Sequence, residues 1–120
     1  MSSENLLAAT SNLPKVLVSQ QLANSETTQY TCPSSSAVRI ATATLCNTSS
    51  SAVTVSVSLV KTGGSAGSSN RVLTSYSIAA YDSISLTEIY GAMLGPGDFI
   101  SAIASAATSV AFVLTGAVSS

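Results

Sequence analysis

Five carboxylates (Glu4, Glu26, Asp82, Glu88 and Asp98) and two cysteines (Cys32 and Cys46) are the residues of this 120-residue chain best suited to chemistry, and there is no histidine. The missing imidazole removes the usual base of a Ser-His-Asp or Cys-His nucleophile. A carboxylate pair hydrolyses a glycoside only where its members converge to about 5–9 Å. Asp82 precedes SISLTEI (83–89) and Glu88 is near its end; the segment reads as a strand and would hold them roughly 20 Å apart. A four-ligand zinc site built on two cysteines would need carboxylates or a second chain. GPGD (95–98) lacks the strand-to-helix setting and the Lys-Ser/Thr of a phosphate loop, and reads as a hairpin turn. NTS at 47–49 matches a glycosylation acceptor, which says little without a secretory leader. These residues point to a protein that is not an enzyme and uses no metal or cofactor. The two cysteines are read as free. Cys46 ends AVRIATATLC (37–46), a strand that spans roughly 30 Å, whereas a disulfide needs its Cα atoms within about 7 Å. Two mostly buried thiols acting as small hydrophobes are expected.

Strands must position whatever these residues do. PKVLVSQ (14–20) opens on Pro14, which is tolerated at a strand start. ETTQYTC (26–32) is the next strand and PSSS (33–36) a turn. NTSSS (47–51) is short enough to close an antiparallel hairpin between AVRIATATLC and AVTVSVSLV (52–60). In the latter, Val53, Val55, Val57 and Leu59 face one way and Thr54, Ser56 and Ser58 the other, the period of a half-buried strand. RVLTSYSI (71–78) alternates again, with Val72, Thr74, Tyr76 and Ile78 on one side. AAYD (79–82) is a turn with Asp82 as its side-chain cap. SISLTEI (83–89) is a strand, YGAMLGPG (90–97) a turn region, and DFISAIAS (98–105) and TSVAFVLTGAV (108–118) are the last two strands. About eight short strands with Gly/Ser turns and no helix predict an all-β, antiparallel β-sandwich, jelly-roll-like, as one domain over residues 14–120. A closed eight-stranded barrel is the alternative. Residues 1–13, MSSENLLAATSNL, form an N-terminal arm.

Four basic and five acidic residues leave a net charge of −1. Lys15, Arg39, Lys61 and Arg71 are scattered, which argues against nucleic acid and against an anionic membrane surface. No run approaches the ~20 apolar residues of a spanning helix, so no membrane insertion is expected. The first residues show neither the basic region nor the apolar stretch of a secretory leader. Synthesis in the cytoplasm is therefore expected, with export only as part of a particle. Serine and threonine supply the polarity, and a near-zero charge favours association. Two readings follow: a plain Ser/Thr-rich β domain, or a subunit of an assembly. For the second, the expected contacts are Leu6, Leu7 and Leu13 of the arm and the loop KTGGSAGSSN (61–70) with Gly63, Gly64, Gly67 and Asn70. Such a Gly/Ser loop is expected to be flexible or shaped by a partner. Arg39 lies in an apolar strand, either facing solvent or pairing a carboxylate on a neighbouring chain. Tyr30, Tyr76, Tyr81 and Tyr90 read as residues at the edge of the core, with a sugar site as the sharper alternative.

Two stretches carry a resemblance. YTCPSSSAVRIATATLCNTSSSAVTVSVSLV resembles a pattern in small virion proteins of tailed bacteriophages, in which a strand ends in Tyr-Thr-x-Pro and the next ends in Cys-Asn-Thr before an alternating valine strand. SIAAYDSISLTEIYGAMLGPGDFISAIAS resembles the second half of that pattern, a turn carrying an Asp and then Leu-x-x-Gly-Asp leading into a strand. The similarity covers about residues 27–116. It implies a β-sandwich of the head decoration or minor tail protein type, commonly trimeric, located in the virion. The partners implied are further copies of the chain and the major capsid protein or tail proteins. A capsid decoration protein that stabilises the shell is the first expectation, and a minor tail or tail-tip protein that contacts the host surface is the alternative. Cys32 departs from the apolar residue usual at its position, and the arm is longer than the pattern needs. No catalytic residues belong to the pattern.

Overall fold

A computed structural model of the chain describes residues 12–119. Its strands are β1 (Asn12–Gln21), β2 (Thr27–Thr31), β3 (Ala37–Asn47), β4 (Val53–Val60), β5 (Arg71–Ile78), β6 (Ser83–Ser85), β7 (Met93–Leu94), β8 (Phe99–Ala104) and β9 (Val110–Ser119). They form two antiparallel sheets. In sheet I, β9 lies between β1 and β3, and the far edge of β3 pairs with both β6 and β7. Sheet II has the order β2-β8-β4-β5. Taken together, β6 and β7 are one interrupted strand, so the molecule is an eight-stranded jelly-roll sandwich rather than a closed barrel.

The period-two pattern explains which side of each strand is buried. On β9, Val110, Phe112 and Leu114 are fully buried, and on β4 Val53, Val55 and Val57 meet them from the opposite sheet in one core. Burying side chains of this size contributes about 1.5–3 kcal/mol each. Val38, Ile40, Ala43 and Leu45 add the buried side of β3. Their spacing slips by one residue after Ile40 because the β3–β9 ladder bulges between Ile40 and Thr42. β1 bulges against β9 at the same level, between Val16 and Val18. Both bulges press towards Gly116, where a Cβ would collide with the carbonyl oxygen of Arg39 and lie 3.1 Å from Leu17 Cδ1. A glycine is therefore required at the line where sheet I bends.

Several sequence expectations are corrected by the path of the chain. NTSSS does not close a hairpin, because β3 belongs to sheet I and β4 to sheet II. Asn47 organises that crossing. Its buried amide donates to the carbonyls of Ser51, Ile78 and Ala79, while its Oδ1 accepts from the N–H and hydroxyl of Ser49. Likewise GPGD is a tight turn, held by Asp98 N–H to Gly95 C=O, yet it joins β7 of sheet I to β8 of sheet II. The segment 83–89 is not one strand. It leaves β6 at Ser85 and turns through a 3-10 helix, Thr87–Ile89. Leu86 and Ile89 are both fully buried, and a spacing of three puts two side chains on one side of a 3-10 turn. The region 90–97, read as a turn, contains β7. Finally, β1 begins at Asn12, so Leu13, assigned to the arm, pairs with Val118. Pro14 is inside the strand, which is acceptable because β1 is an edge of sheet I. Leu6 and Leu7 lie outside the described residues.

Candidate functional site

The outer faces of the two sheets differ in kind. On sheet II a row of residues crosses all four strands: Thr28 opposite Ser101, Ser101 opposite Ser58, and Ser58 opposite Arg71. Glu26, just before β2, lies over this row. One carboxylate oxygen pairs with Arg71 at 2.7 Å and the other accepts from Ser101 Oγ at 2.6 Å. Arg71 also donates to Ser58 Oγ at 3.0 Å. The Arg71 hydrogen bond is the main reason the Glu26 carboxyl is held below its ordinary value, against a smaller opposing effect of burial. Ser58 and Ser101 are thereby buried with partners although they face away from the core.

The outer face of sheet I carries the hydroxyl hydrogen bond between Thr42 and Thr115 across β3 and β9, but no network that spans the sheet. At the bent end of the sheet, Pro14 and Val16 of β1, Thr115 and Ala117 of β9, and Arg39 and Ala41 of β3 line a shallow, mostly apolar groove of about 370 Å³. Met93 of β7 stands opposite Arg39 across the ladder and extends the patch. Val16 is 58% exposed and Met93 60% exposed. Leu13 is also exposed, but it pairs with Val118 and so lies on the other side of the sheet. Arg39 faces solvent, and among the described residues neither it nor Lys15 has a carboxylate partner. The groove exists because of the two bulges. They turn Val16 and Arg39 outward beside the small residues Ala41, Gly116 and Ala117.

The 61–70 loop has a shape of its own. Gly63 has φ +83°, and Gly64 N–H closes a turn onto Lys61 C=O. Asn70 clasps the other half: its Oδ1 accepts from Gly67 N–H at 3.0 Å and its Nδ2 donates to Ser65 C=O at 2.9 Å. Asp98 ties the loop to the β7–β8 turn, accepting from the N–H groups of Thr62 and Gly95. Those two backbone hydrogen bonds hold its carboxyl below the usual range. Arg39 is on β3 of sheet I, whereas Gly63, Gly64, Gly67 and Asn70 are in the connection between β4 and β5 of sheet II. Sequence reading missed the groove, because it is assembled from strands far apart in the chain. Its one sequence sign was the unusual Arg39.

The other chemical residues are accounted for locally. The turn before β6 is closed by Asp82 N–H to Ala79 C=O, and the Asp82 side chain accepts from Ser83 N–H at the start of β6 rather than from a group of the turn. Glu88 is exposed on the 3-10 turn. Both cysteines are free, with Cys32 buried and Cys46 half-buried. Burial raises the pKa of the Cys32 thiol above its ordinary value, and its Sγ lies 3.5 Å from the carbonyl oxygens of Ser36 and Leu94. Tyr30 packs on the edge of the core, whereas Tyr76, Tyr81 and Tyr90 are exposed, Tyr81 most of all at 72%. Among the described residues no three Cys, Asp or Glu side chains gather in a way that could hold a metal ion. Comparison with protein-family models, with curated proteins and with solved structures finds no match.

Proposed function

We propose that this protein is a non-enzymatic structural subunit of a tailed-phage virion, a capsid decoration protein that associates as a homotrimer and stabilises the shell through contacts between subunits. The observation that carries the reading is the outer face of sheet I. It presents exposed Val16 and Met93, small neutral residues and Arg39, which has no carboxylate partner among the described residues, and this suits packing against protein. Multiple copies would add their contributions by multivalency. The sequence resemblance to small virion proteins of tailed phages supports the choice of particle. Quantitative mass spectrometry of purified virions tests it. A copy number comparable with that of the major capsid protein is the expected result, and absence from the virion would overturn the reading.

A second reading, a minor tail or tail-tip protein that touches the host surface, is favoured by exposed Tyr76 on β5 and Tyr81 in the turn that follows. It predicts a few copies per virion in multiples of the tail symmetry. It also predicts specific binding on a glycan array that is lost in Tyr76→Ala or Tyr81→Ala.

A further inference from the structure

The groove on sheet I combines an apolar floor with two cations, Arg39 and Lys15, that have no carboxylate partner among the described residues. Each of the four described carboxylates is placed elsewhere. Glu26 pairs with Arg71 across sheet II, Asp82 accepts from Ser83 N–H at the start of β6, Glu88 is on the 3-10 turn and Asp98 holds the 61–70 loop. The remaining carboxylate of the chain is Glu4, in MSSENLLAATS (1–11), followed two residues later by Leu6. In an extended segment, residues two apart share a face about 7 Å apart. Arg39 on β3 pairs with Ala117 of β9 and Val16 on β1 pairs with Thr115, so the two lie on either side of β9 and two residues apart along it, about 12 Å at the usual strand spacing and rise. An acid and an apolar side chain on one face of a segment lying obliquely across β9 reach that cation and that apolar residue once the long glutamate and arginine side chains close the remaining distance.

We propose that this groove receives residues 1–11 of a second copy of the chain, with the Glu4 carboxylate on the Arg39 guanidinium and Leu6 beside Val16. A neighbour is the donor because of where β1 starts. Asn12 is already paired with Ser119 at the open end of sheet I. From there a segment that keeps the direction of β1 leads away from the groove of its own chain and towards a neighbour, and only a reversal at the end of the sheet would return it. The exchange rests on the self-association in the proposed function, and it names the contact that produces it.

Directed cross-linking of the full-length chain tests this. Leu6→Cys is placed in one preparation and Val16→Cys in another, both with Cys46→Ser to remove the half-buried thiol. The two are mixed and mildly oxidised. A disulfide joining the two different chains is expected. A disulfide formed only within a chain carrying both substitutions would overturn the proposal, since the arm would then cover its own face. A Leu6→Cys to Leu6→Cys disulfide alone would also overturn it. So would no disulfide in an oligomer, and that result would leave self-association standing. A monomer at every concentration in sedimentation would remove both. In the same sedimentation assay Glu4→Arg and Arg39→Glu should each weaken association about fivefold. The charge-swapped double variant should recover it, and additive loss instead of recovery would contradict the pairing.

Discussion

The two outer faces of this sandwich solve the same problem in opposite ways. Sheet II ties its outward polar residues to one another, with Glu26 bridging from β2 to Arg71 on β5 through Ser101 and Ser58. Sheet I leaves Val16 and Met93 exposed and Arg39 without a carboxylate partner among the described residues. Polar side chains satisfied within a chain gain little from a further partner, whereas exposed apolar ones gain their full burial from one. In the proposed assembly this contrast makes sheet I the face for association, while the network on sheet II acts within the chain.

The largest effect on this comparison should come from the line beneath the groove. Gly116→Val should cost about 3 kcal/mol or more, read by denaturant unfolding, because its side chain would enter the space held by the Arg39 carbonyl and Leu17. A loss below about 1 kcal/mol would mean that the two bulges are not fixed by that contact. Asn47→Ala should follow at about 2 kcal/mol, because it strands the carbonyls its amide satisfies where the chain crosses between sheets. Both substitutions act on stability, and neither face alone accounts for them.

Within sheet II, Arg71→Met should cost about 1 kcal/mol at neutral pH. Its pH dependence has a definite sign. The native carboxyl of Glu26 is lowered from 4.5 and that of Asp98 from 3.8, so the unfolded chain binds more protons than the native one across the acid range. Stability from these groups is therefore present above the ordinary carboxyl values and is lost as pH falls through the lowered native ones. Glu26→Gln should flatten the upper part of that acid loss in melts taken at successive pH values. An unchanged profile would show that the bridge across sheet II contributes nothing. The smallest stability effect is expected on sheet I, where Val16→Ser and Met93→Ser should each stay within about 0.5 kcal/mol. The same two variants should nonetheless weaken self-association in sedimentation, and a loss of stability without a loss of association would reverse the assignment of the faces.

Much of the frame was legible in the residues. Val53, Val55 and Val57 announce a half-buried strand because a period of two is enough to define a face. The free cysteines followed from the length of β3 alone. Other features were hidden for physical reasons. Leu86 and Ile89 fill the core through a 3-10 turn, and a short apolar spacing of that kind does not distinguish a strand from a turn. β7 has only two residues, too few to show any period. The order and polarity of NTSSS and GPGD fit a hairpin as well as a crossing, since turn chemistry reports local backbone shape and not which sheet comes next. The bridge from Glu26 to Arg71 joins residues 45 positions apart, and no local pattern announces it.

By itself, then, the sequence determined a neutral, all-β chain without imidazole chemistry, with alternating strands whose buried sides were marked in advance. Alternation says that one side of a strand is buried, but not which strand covers it. The tertiary structure decided that β9 would run between β1 and β3, that two bulges would meet over Gly116, and that Arg39 would come out on an apolar face with none of the described acids beside it. Those outcomes depend on register and on pairings between distant segments, which are set by the packing of the whole core rather than by any one stretch of residues.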